Sequence, residues 1–443
     1  MSETKAPHRR PPNILFFLPD QHRRDWLSCH GSVPLVTPHI DALASRGVRF
    51  TRAYCPSPLC APARASLASG RRYGRTSVRD NSQNYPLALP TYYQSLRDAG
   101  YRVGGIGKFD LHKNTQDPEN LYWGLNGSRL LAEWGFTDGI DNEGKLDGSS
   151  SYRHWGEPRG PYLQFLADRG LAEAYVREHE TRGEHFDAYV TALPDDAYCD
   201  NWLSDNGLTI LETFPRDRPW HLVVNFSGPH NPMDVTARMS RRWETAPMPP
   251  AHDNAGDDPD GILRRRRYYA AMIENIDRQV GRLVRAVAER GELENTIILY
   301  SSDHGEMLGD HDRWGKGVWY EPSVGIPLIV AGPGVGERVV SDALVSLHDL
   351  AATLIDYAGS APLPGMDALS LRPLLEGRTA EHRSHITGGL QRWQMVLDRR
   401  FKLVLGAGES PLLYDPADDP WEDVNRAPDC PVIVRSLAQV IGS

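Results

Sequence analysis

Four short, mostly apolar runs, each followed soon by polar side chains, constrain the fold of this chain more than any other feature. They cover residues 13–18, 101–106, 221–226 and 295–300. Runs of this length are typical of strands that are buried on both faces of a parallel sheet. Helical patterns lie between them, for example at residues 91–100 and 268–290. Strands that alternate with helices predict a mostly parallel α/β sheet.

The polar residues after these runs are candidates for one shared site. They are Asp20, Lys108, His230, Asp303 and His304. Because ligands of open α/β sheets bind beyond the carboxyl ends of the strands, we expect these side chains to meet at one edge. Asp20, Asp303 and His304 would hold a divalent metal, and Gln21 could add an amide oxygen. Carboxylates suit Ca²⁺, whereas an imidazole shifts the preference toward Mn²⁺ or another transition metal.

A cysteine stands at the predicted start of another helix. Cys60 is followed by Pro62, which suits a first helical turn, and the stretch ends at Gly70, a typical helix stop. The N–H groups of a helix N-terminus favour negative charge, and Arg64, one turn further on, can reach the same anion. The stretch therefore indicates a nucleophile beside an anion site, although a small buried thiol and a surface arginine would fit the same residues.

Composition narrows the class of protein. The net charge of −9 over 443 residues argues against nucleic acid as a partner. The five cysteines are few, odd in number and scattered, which fits a reducing compartment better than a disulfide framework or a zinc motif. No run approaches the roughly 20 apolar residues of a membrane span. We expect a cytoplasmic protein that binds neither nucleic acid nor membrane. The sequence does not decide whether the chain forms a homo-oligomer.

The sequence pattern changes near residue 359. Residues 1–358 predict a catalytic α/β domain, with a less regular insertion at about 115–215 that would supply pocket walls. Residues 359–443 predict a small α+β subdomain, an antiparallel sheet plus a helix. The basic run at 264–267 precedes a long amphipathic helix, so we expect a solvated helix face there.

Several blocks of the chain, in order, resemble the type I sulfatases, the formylglycine-dependent family of the alkaline phosphatase superfamily. The blocks are Asn13 to Gln21, Cys60-Ala61-Pro62-Ala63-Arg64, Gly107-Lys108, Pro229-His230-Asn231-Pro232, Ser302-Asp303-His304-Gly305, Trp314-Gly315-Lys316-Gly317, Leu413-Tyr414-Asp415 and Asp419-Pro420-Trp421-Glu422. The resemblance spans nearly the whole chain apart from the middle insertion. It implies an alkaline-phosphatase-like fold, with a large, mostly parallel central sheet flanked by helices and a small C-terminal antiparallel sheet plus helix.

The resemblance also implies a reaction. Cys60 would be oxidised to formylglycine by a formylglycine-generating enzyme, and a hydroxyl of its hydrate, on the metal, would attack the sulfur of a small sulfated substrate. Arg64 would stabilise the hydrate. Lys108 and Lys316 would bind sulfate oxygens. His230 would orient the ester oxygen or protonate the leaving alcohol.

The metal pairs depart from the commonest family pattern. Asp20-Gln21 and Asp303-His304 stand where many members have Asp-Asp and Asp-Asn. These pairs are more similar to choline sulfatases and phosphonate monoester hydrolases, whose metal is often Mn²⁺. Asp80-Asn81 also resembles the choline sulfatase pattern. The similarity makes Asn81 a candidate contact to the sulfate or its ester oxygen.

A second departure lies after Lys108. The family usually has Gly-Lys-x-His, but Asp110 occupies the histidine position here. A carboxylate beside a bound sulfate would repel it unless it is protonated or paired. We hypothesise that Asp110 binds Lys108 or a cationic or hydroxyl-bearing part of the substrate. His112 could instead replace the missing imidazole, and Lys113 could pair with Asp110.

Sulfate ester hydrolysis is the expected function, with two alternatives. A phosphonate monoester or phosphate diester hydrolase would use the same site, because its substrate is a similar tetrahedral anion. A metal-binding pseudoenzyme would leave Cys60 unconverted. We favour the pseudoenzyme least, because the nucleophile, the cations and the metal ligands occur together.

Overall fold

The computed structural model describes residues 10–112, 131–182, 186–256 and 258–441. Strands within these residues are β1 (Asn13–Phe17), β2 (Gly47–Phe50), β3 (Ala53–Tyr54), β4 (Arg102–Gly107), β5 (Asp138–Asp141), β6 (Ala188–Val190), β7 (Trp220–Asn225), β8 (Met233–Val235), β9 (Thr296–Ser301), β10 (Leu328–Ala331), β11 (Val339–Ser341), β12 (Val345–Ser346), β13 (Ile386–Leu390), β14 (Trp393–Leu397), β15 (Lys402–Leu405) and β16 (Leu412–Tyr414).

Helices flank the strands on both sides. They are α1 (Pro38–Ser45), α2 (Cys60–Ser69), α3 (Tyr92–Asp98), α4 (Leu131–Trp134), α5 (Lys145–Trp155), α6 (Pro161–Asp168), α7 (Ala172–Thr181), α8 (Cys199–Thr213), α9 (Ala237–Ser240), α10 (Pro259–Glu289), α11 (Glu321–Val324), α12 (Asp349–Tyr357), α13 (Arg372–Leu375) and α14 (Pro431–Ile441). No helix in these described segments is long and apolar enough to cross a membrane.

The central sheet has eight strands in the order β11-β2-β10-β9-β1-β7-β4-β5. Every neighbouring pair is parallel except those that include β10. Four adjacent strands, β9, β1, β7 and β4, therefore end at the same edge. The predicted mostly parallel α/β sheet is confirmed, together with the meeting of these four strand ends.

Strand β1 shows why the apolar runs fold as central strands. Its side chains alternate between the two faces, so Ile14 and Phe16 join the core beneath α2, α3 and α12. Leu15 and Phe17 join the opposite core, which contains α8 and the long helix α10. All four side chains are fully buried. An uninterrupted apolar run is thus what a sheet covered by helices on both faces requires.

The interval 115–215 is more regular than expected. Its described part contains β5, which pairs with β4 as an edge strand of the central sheet, and the helix α8, which packs on β4, β7 and α10. The prediction of weak regularity is wrong for these elements. Helix α8 contains Asp, Asn and Gly residues that are poor helix formers, so tertiary packing outweighs its low propensity.

The expected solvated face at residues 264–267 is wrong at one position. Arg264 is exposed, but Arg266 is buried within α10. The Arg266 guanidinium donates to the Leu308 carbonyl at 2.9 Å and to the Asp310 carboxylate at 3.3 Å. The carboxylate that compensates this burial lies 44 residues away along the chain, so periodicity alone could not reveal it.

The C-terminal strands form the predicted small antiparallel sheet, in the order β13-β14-β15-β16. Helix α14 packs on β14 and β15. Lys402 of β15 is completely buried and forms ion pairs with Glu321 at 3.2 Å and with Glu422. The pair with Glu321 attaches the small sheet to α11, in the segment that follows the edge of the central sheet.

Candidate active site

The sheet edge gathers the predicted residues around one sulfur atom. Cys60 is the first residue of α2, which is buried along its whole length and ends at Gly70 in the left-handed region, at φ 64°. The Cys60 Sγ lies 3.3 Å from His304 Nε2 and 3.8 Å from Asp20 Oδ1. It also lies 3.2 Å from the ammonium of Lys316 and 3.6 Å from that of Lys108.

Three donor atoms converge beside this sulfur. The His304 Nε2 lies 3.7 Å from Asp20 Oδ1 and 3.6 Å from Asp303 Oδ2. The His304 Nδ1 lies 3.0 Å from the Gly305 carbonyl, to which it donates, so the Nε2 lone pair faces the two carboxylates. Burial and Lys316 lower the pKa of His304, but Asp303 and Cys60 together outweigh them and raise the pKa above its usual value. The position therefore favours positive charge, and the oxygen and nitrogen donors fit a divalent metal.

Gln21 is next to this set and is held by its own network. Its backbone lies in the left-handed region, at φ 68°, and its N–H donates to Asp303 Oδ1 at 2.9 Å. Its amide oxygen accepts from Lys316, and its amide nitrogen donates to Asn231 Oδ1 at 3.2 Å and to Glu306. The amide oxygen thus faces the site beside the Lys316 ammonium.

Arg64 binds both metal-site carboxylates from α2. Its Nε donates to Asp303 Oδ2 at 2.9 Å, and its Nη2 donates to Asp20 Oδ2 at 3.4 Å. Its Nη1 donates to the Asn225 side chain at 3.2 Å and to the Lys108 carbonyl. One guanidinium therefore fixes the relative positions of the ends of β1, β4, β7 and β9.

The charges around the sulfur shift two pKa values downward. Burial and the charge of Asp20 raise the pKa of Cys60, but Lys108, Lys316 and His304 outweigh them and lower it to about 6. Burial also raises the pKa of Asp20, yet the same lysines, with His230 and Arg64, hold it well below its usual value. The site is therefore built to stabilise negative charge.

His230 approaches from the loop after β7. Its Nδ1 lies 2.7 Å from the Asn231 carbonyl, and burial and Lys316 keep its pKa well below the usual value. Two side chains hold this loop from behind. Asp200 accepts from the N–H groups of Ser227 at 2.8 Å and Gly228 at 3.1 Å, and Lys145 donates to the Pro232 carbonyl at 3.4 Å.

The two candidate substrate contacts flank Cys60 and Lys108. The Asn81 side-chain oxygen accepts from the Ala61 N–H at 3.0 Å, at the start of α2. Asp110 lies 3.3 Å from the Lys108 ammonium, which is one of the two partners hypothesised for it. Lys113, another candidate partner of Asp110, lies outside the described residues.

Sequence reasoning missed four residues that organise the site: Glu306, Asn225, Asp200 and Lys145. Asn225 offered a signal, because it is a polar residue at the end of an apolar strand. Glu306 follows the Asp303-His304 pair by two residues and was equally visible. Asp200 and Lys145 offered none, since each acts on the His230 loop from a distant helix.

The chain is similar in sequence and in fold to several known proteins. The sequence profile of the family described as Sulfatase matches residues 12–360. The choline-sulfatase of Rhizobium meliloti is 30% identical over 94% of this chain and 82% of its own length. The arylsulfatase of Clostridium perfringens is 28% identical over 85% of this chain and 81% of its own length. The crystal structure of the phosphonate monoester hydrolase of Agrobacterium radiobacter is similar, with a TM-score of 0.79 and 26% identity, covering 97% of this chain and 94% of that one.

Proposed function

The chain belongs to the sulfatase family and is a sulfuric ester hydrolase, and on that premise we propose that it uses a formylglycine made from Cys60. The observation that supports this proposal is the surroundings of the Cys60 sulfur. Two ammonium groups, an imidazole and a carboxylate lie within 3.8 Å of it. The metal ligands and the anion-binding cations thus surround the Cys60 sulfur, the atom that conversion to formylglycine would replace with oxygen.

Asp20, Asp303 and His304 would hold the metal in this proposal. Their converging donors fit a divalent ion, and the imidazole favours Mn²⁺ over Ca²⁺. Gln21 would bind the metal through its amide oxygen, which would then no longer accept the hydrogen bond from Lys316. When bound, the metal and the formylglycine together supply an oxygen nucleophile that is ionised at neutral pH.

The cations bind and orient the sulfate group. The ammonium groups of Lys108 and Lys316 both lie within 3.6 Å of the Cys60 sulfur, so both can donate to sulfate oxygens as charge builds. Arg64 keeps the carboxylates in place while remaining charged. Asp110, paired with Lys108, holds that ammonium toward the sulfate, and Asn81 orders the first turn of α2.

His230 serves the leaving alcohol in this scheme. Its Nδ1 proton is bonded to the Asn231 carbonyl, so its Nε2 lone pair is free to exchange a proton with the substrate. Burial and the nearby lysine charges keep the pKa of this imidazole well below its usual value in the free enzyme. A bound sulfate ester offsets those charges and raises the affinity of His230 for a proton, which it passes to the departing oxygen.

Mass spectrometry of the Cys60 peptide tests the proposal. Enzyme purified from its native host should carry formylglycine at residue 60, made by a formylglycine-generating enzyme. The Cys199 peptide of the same sample is the matched control and should retain its thiol. Active enzyme with an unmodified Cys60 would contradict the formylglycine proposal while leaving the family assignment intact.

A second candidate function is phosphonate monoester hydrolysis. The similarity to the Agrobacterium radiobacter hydrolase over 97% of the chain favours it as the alternative. Values of kcat/KM for an aryl sulfate and an aryl phosphonate monoester with the same leaving group would decide. We expect the sulfate to be the better substrate, and the reverse ranking would favour the alternative.

We further propose two features of the whole protein. Residues 1–358 would form the catalytic domain and residues 359–443 a subdomain held to it by the ion pair between Lys402 and Glu321. A cytoplasmic location is supported by the five cysteines, none of which forms a disulfide bond. Cell fractionation with an antibody to the chain would test the location.

A further inference from the structure

A second group of metal-type ligands lies outside the catalytic residues. His252, His311 and Asp423 place one ligand atom each within 4.8 Å of one another. We call these three residues the His252 cluster. They come from the segment before α10, the turn after β9 and the segment between β16 and α14. Nothing in the proposed sulfatase mechanism uses them.

The distances within the His252 cluster approach those of a coordinated ion. The His252 Nε2 lies 3.0 Å from Asp423 Oδ2, and the His311 Nδ1 lies 3.8 Å from Asp423 Oδ1. The Asp253 carboxylate lies 3.9 Å from the same His311 nitrogen. Ligands of a tetrahedral zinc ion lie about 3.4 Å apart, since each is roughly 2.1 Å from the metal. Small side-chain shifts would therefore bring all the donors into range.

The two imidazole rings are already oriented. The His311 Nε2 donates to the Trp421 carbonyl at 2.8 Å, which leaves the Nδ1 lone pair directed at the cluster. Metal-binding histidines commonly donate their second N–H to a carbonyl in this way. The His311 ring stacks on Tyr320 at 4.4 Å, and the His252 ring stacks on Trp421 at 4.3 Å. The side chains would thus lose little conformational freedom on binding a metal.

We propose that the His252 cluster is a second metal site, which binds Zn²⁺ or a similar divalent transition metal. Its ligands are His252 Nε2, His311 Nδ1 and Asp423, with Asp253 or water in the remaining position. Two imidazoles with one or two carboxylates suit this class of ion better than Ca²⁺ or Mg²⁺. The partial exposure of the cluster leaves room for the metal to enter.

The role of this metal is structural. Its ligands join three segments that are far apart in the sequence, so the ion links the C-terminal segment to the turn that precedes Lys316. An ion that binds only the folded chain stabilises it by mass action. Bound zinc therefore raises the unfolding temperature without taking part in the hydrolysis of the substrate.

Equilibrium dialysis with zinc chloride alone, after treatment with a chelator, tests this proposal. The wild-type enzyme should bind two equivalents of zinc, one at each site. Asp423→Asn should bind one equivalent and lose at least tenfold in affinity for the second, because Asp423 contacts both histidines. Because Asp423 is exposed, we expect this variant to fold as the wild type does. The matched control is His154→Gln, at an exposed histidine outside the cluster.

Two further measurements separate the sites. Asp20→Asn should lose the zinc ion of the catalytic site and retain the zinc ion of the His252 cluster. Co²⁺ bound to the Asp20→Asn variant should give the intense visible absorption of a four-coordinate site. His311→Gln in the Asp20→Asn background should abolish that absorption. The proposal is overturned if Asp423→Asn binds as much zinc as the wild type does, or if Asp20→Asn removes all zinc binding.

Discussion

The catalytic residues and the His252 cluster use similar donors in very different surroundings. Asp20, Asp303 and His304 are fully buried, and the two carboxylates accept hydrogen bonds from Arg64 and Lys108. In the His252 cluster, the side chain of Asp423 is 43% exposed, and the histidines stack on aromatic rings. Both groups have the chemistry to bind a metal. Among the described residues, only the first group has buried cations in direct contact with its ligand side chains, and such cations are what an anionic substrate requires.

The largest expected effect comes from removing the nucleophile. Cys60→Ala should lower turnover of an aryl sulfate by about 10⁴-fold or more, because cations and metal without a nucleophile cannot form the covalent intermediate. Steady-state assays measure the effect, with Cys430→Ser as the matched cysteine control at wild-type rate. Substantial turnover by Cys60→Ala would mean that the buried cluster acts without a covalent step.

Removing one cation should have the next largest effect. Lys108→Gln should lower kcat by roughly 10²–10³-fold, which is the usual loss for one donor that stabilises transition-state charge. Arg102→Gln changes a cation at the opposite end of the same strand and should keep the wild-type rate. Because Lys108 also pairs with Asp20, a thermal melt must accompany the assay. An equal loss in both variants would show that charge near the metal ligands is not the deciding factor.

Buried carboxylates offer a third test, through the pH dependence of stability. Cations lower the pKa of Asp20, whereas burial of Asp277, which accepts from the His39 and Ile40 N–H groups, raises its pKa to about 7. The folded state then holds a proton that the unfolded state releases above about pH 4. Asp277 therefore costs stability progressively as the pH rises from about 4 to 7, in total on the order of 4 kcal/mol.

Asp277→Asn should remove this pH dependence. The amide oxygen can still accept both N–H bonds. The free energy of unfolding of the variant should therefore exceed that of the wild type most near pH 7 and little near pH 4. Urea titrations at both values measure it, and Asp205→Asn, at an exposed aspartate, should leave the pH profile unchanged. A gain of equal size at both values would mean that Asp277 is ionised throughout.

The smallest expected effect is on catalysis at the second cluster. Asp423→Asn should change kcat for an aryl sulfate by less than about twofold, because exposed side chains away from reacting groups contribute little to the transition state. The assay is run with the catalytic metal at saturation. A loss of kcat comparable to that of Lys108→Gln would place the His252 cluster in the catalytic machinery, together with the buried metal ligands.

Much of the site could be predicted from local pattern. The strand runs at residues 13–18 and 295–300 ended at Asp20 and Asp303 because a parallel sheet covered on both faces needs apolar strands with polar ends. The Cys60 block marked the helix start for a similarly local reason. The prediction of an exposed Arg266 was wrong because its partner Asp310 comes from a turn that is distant in the sequence. The prediction of weak regularity was wrong for α8 because tertiary packing outweighed the low helix propensity of its residues.

The sequence by itself determined the fold class, the central strands and the residue types that the chemistry needs, since these depend on short-range periodicity and spacing. Only the tertiary structure decided which charges are neighbours. The Cys60 pKa of about 6, the pairing of Asp110 with Lys108 and the support of His230 by Asp200 and Lys145 all depend on such contacts. Electrostatic interactions in a buried site depend on distances of a few ångströms between residues that are far apart along the chain, and folding alone sets those distances.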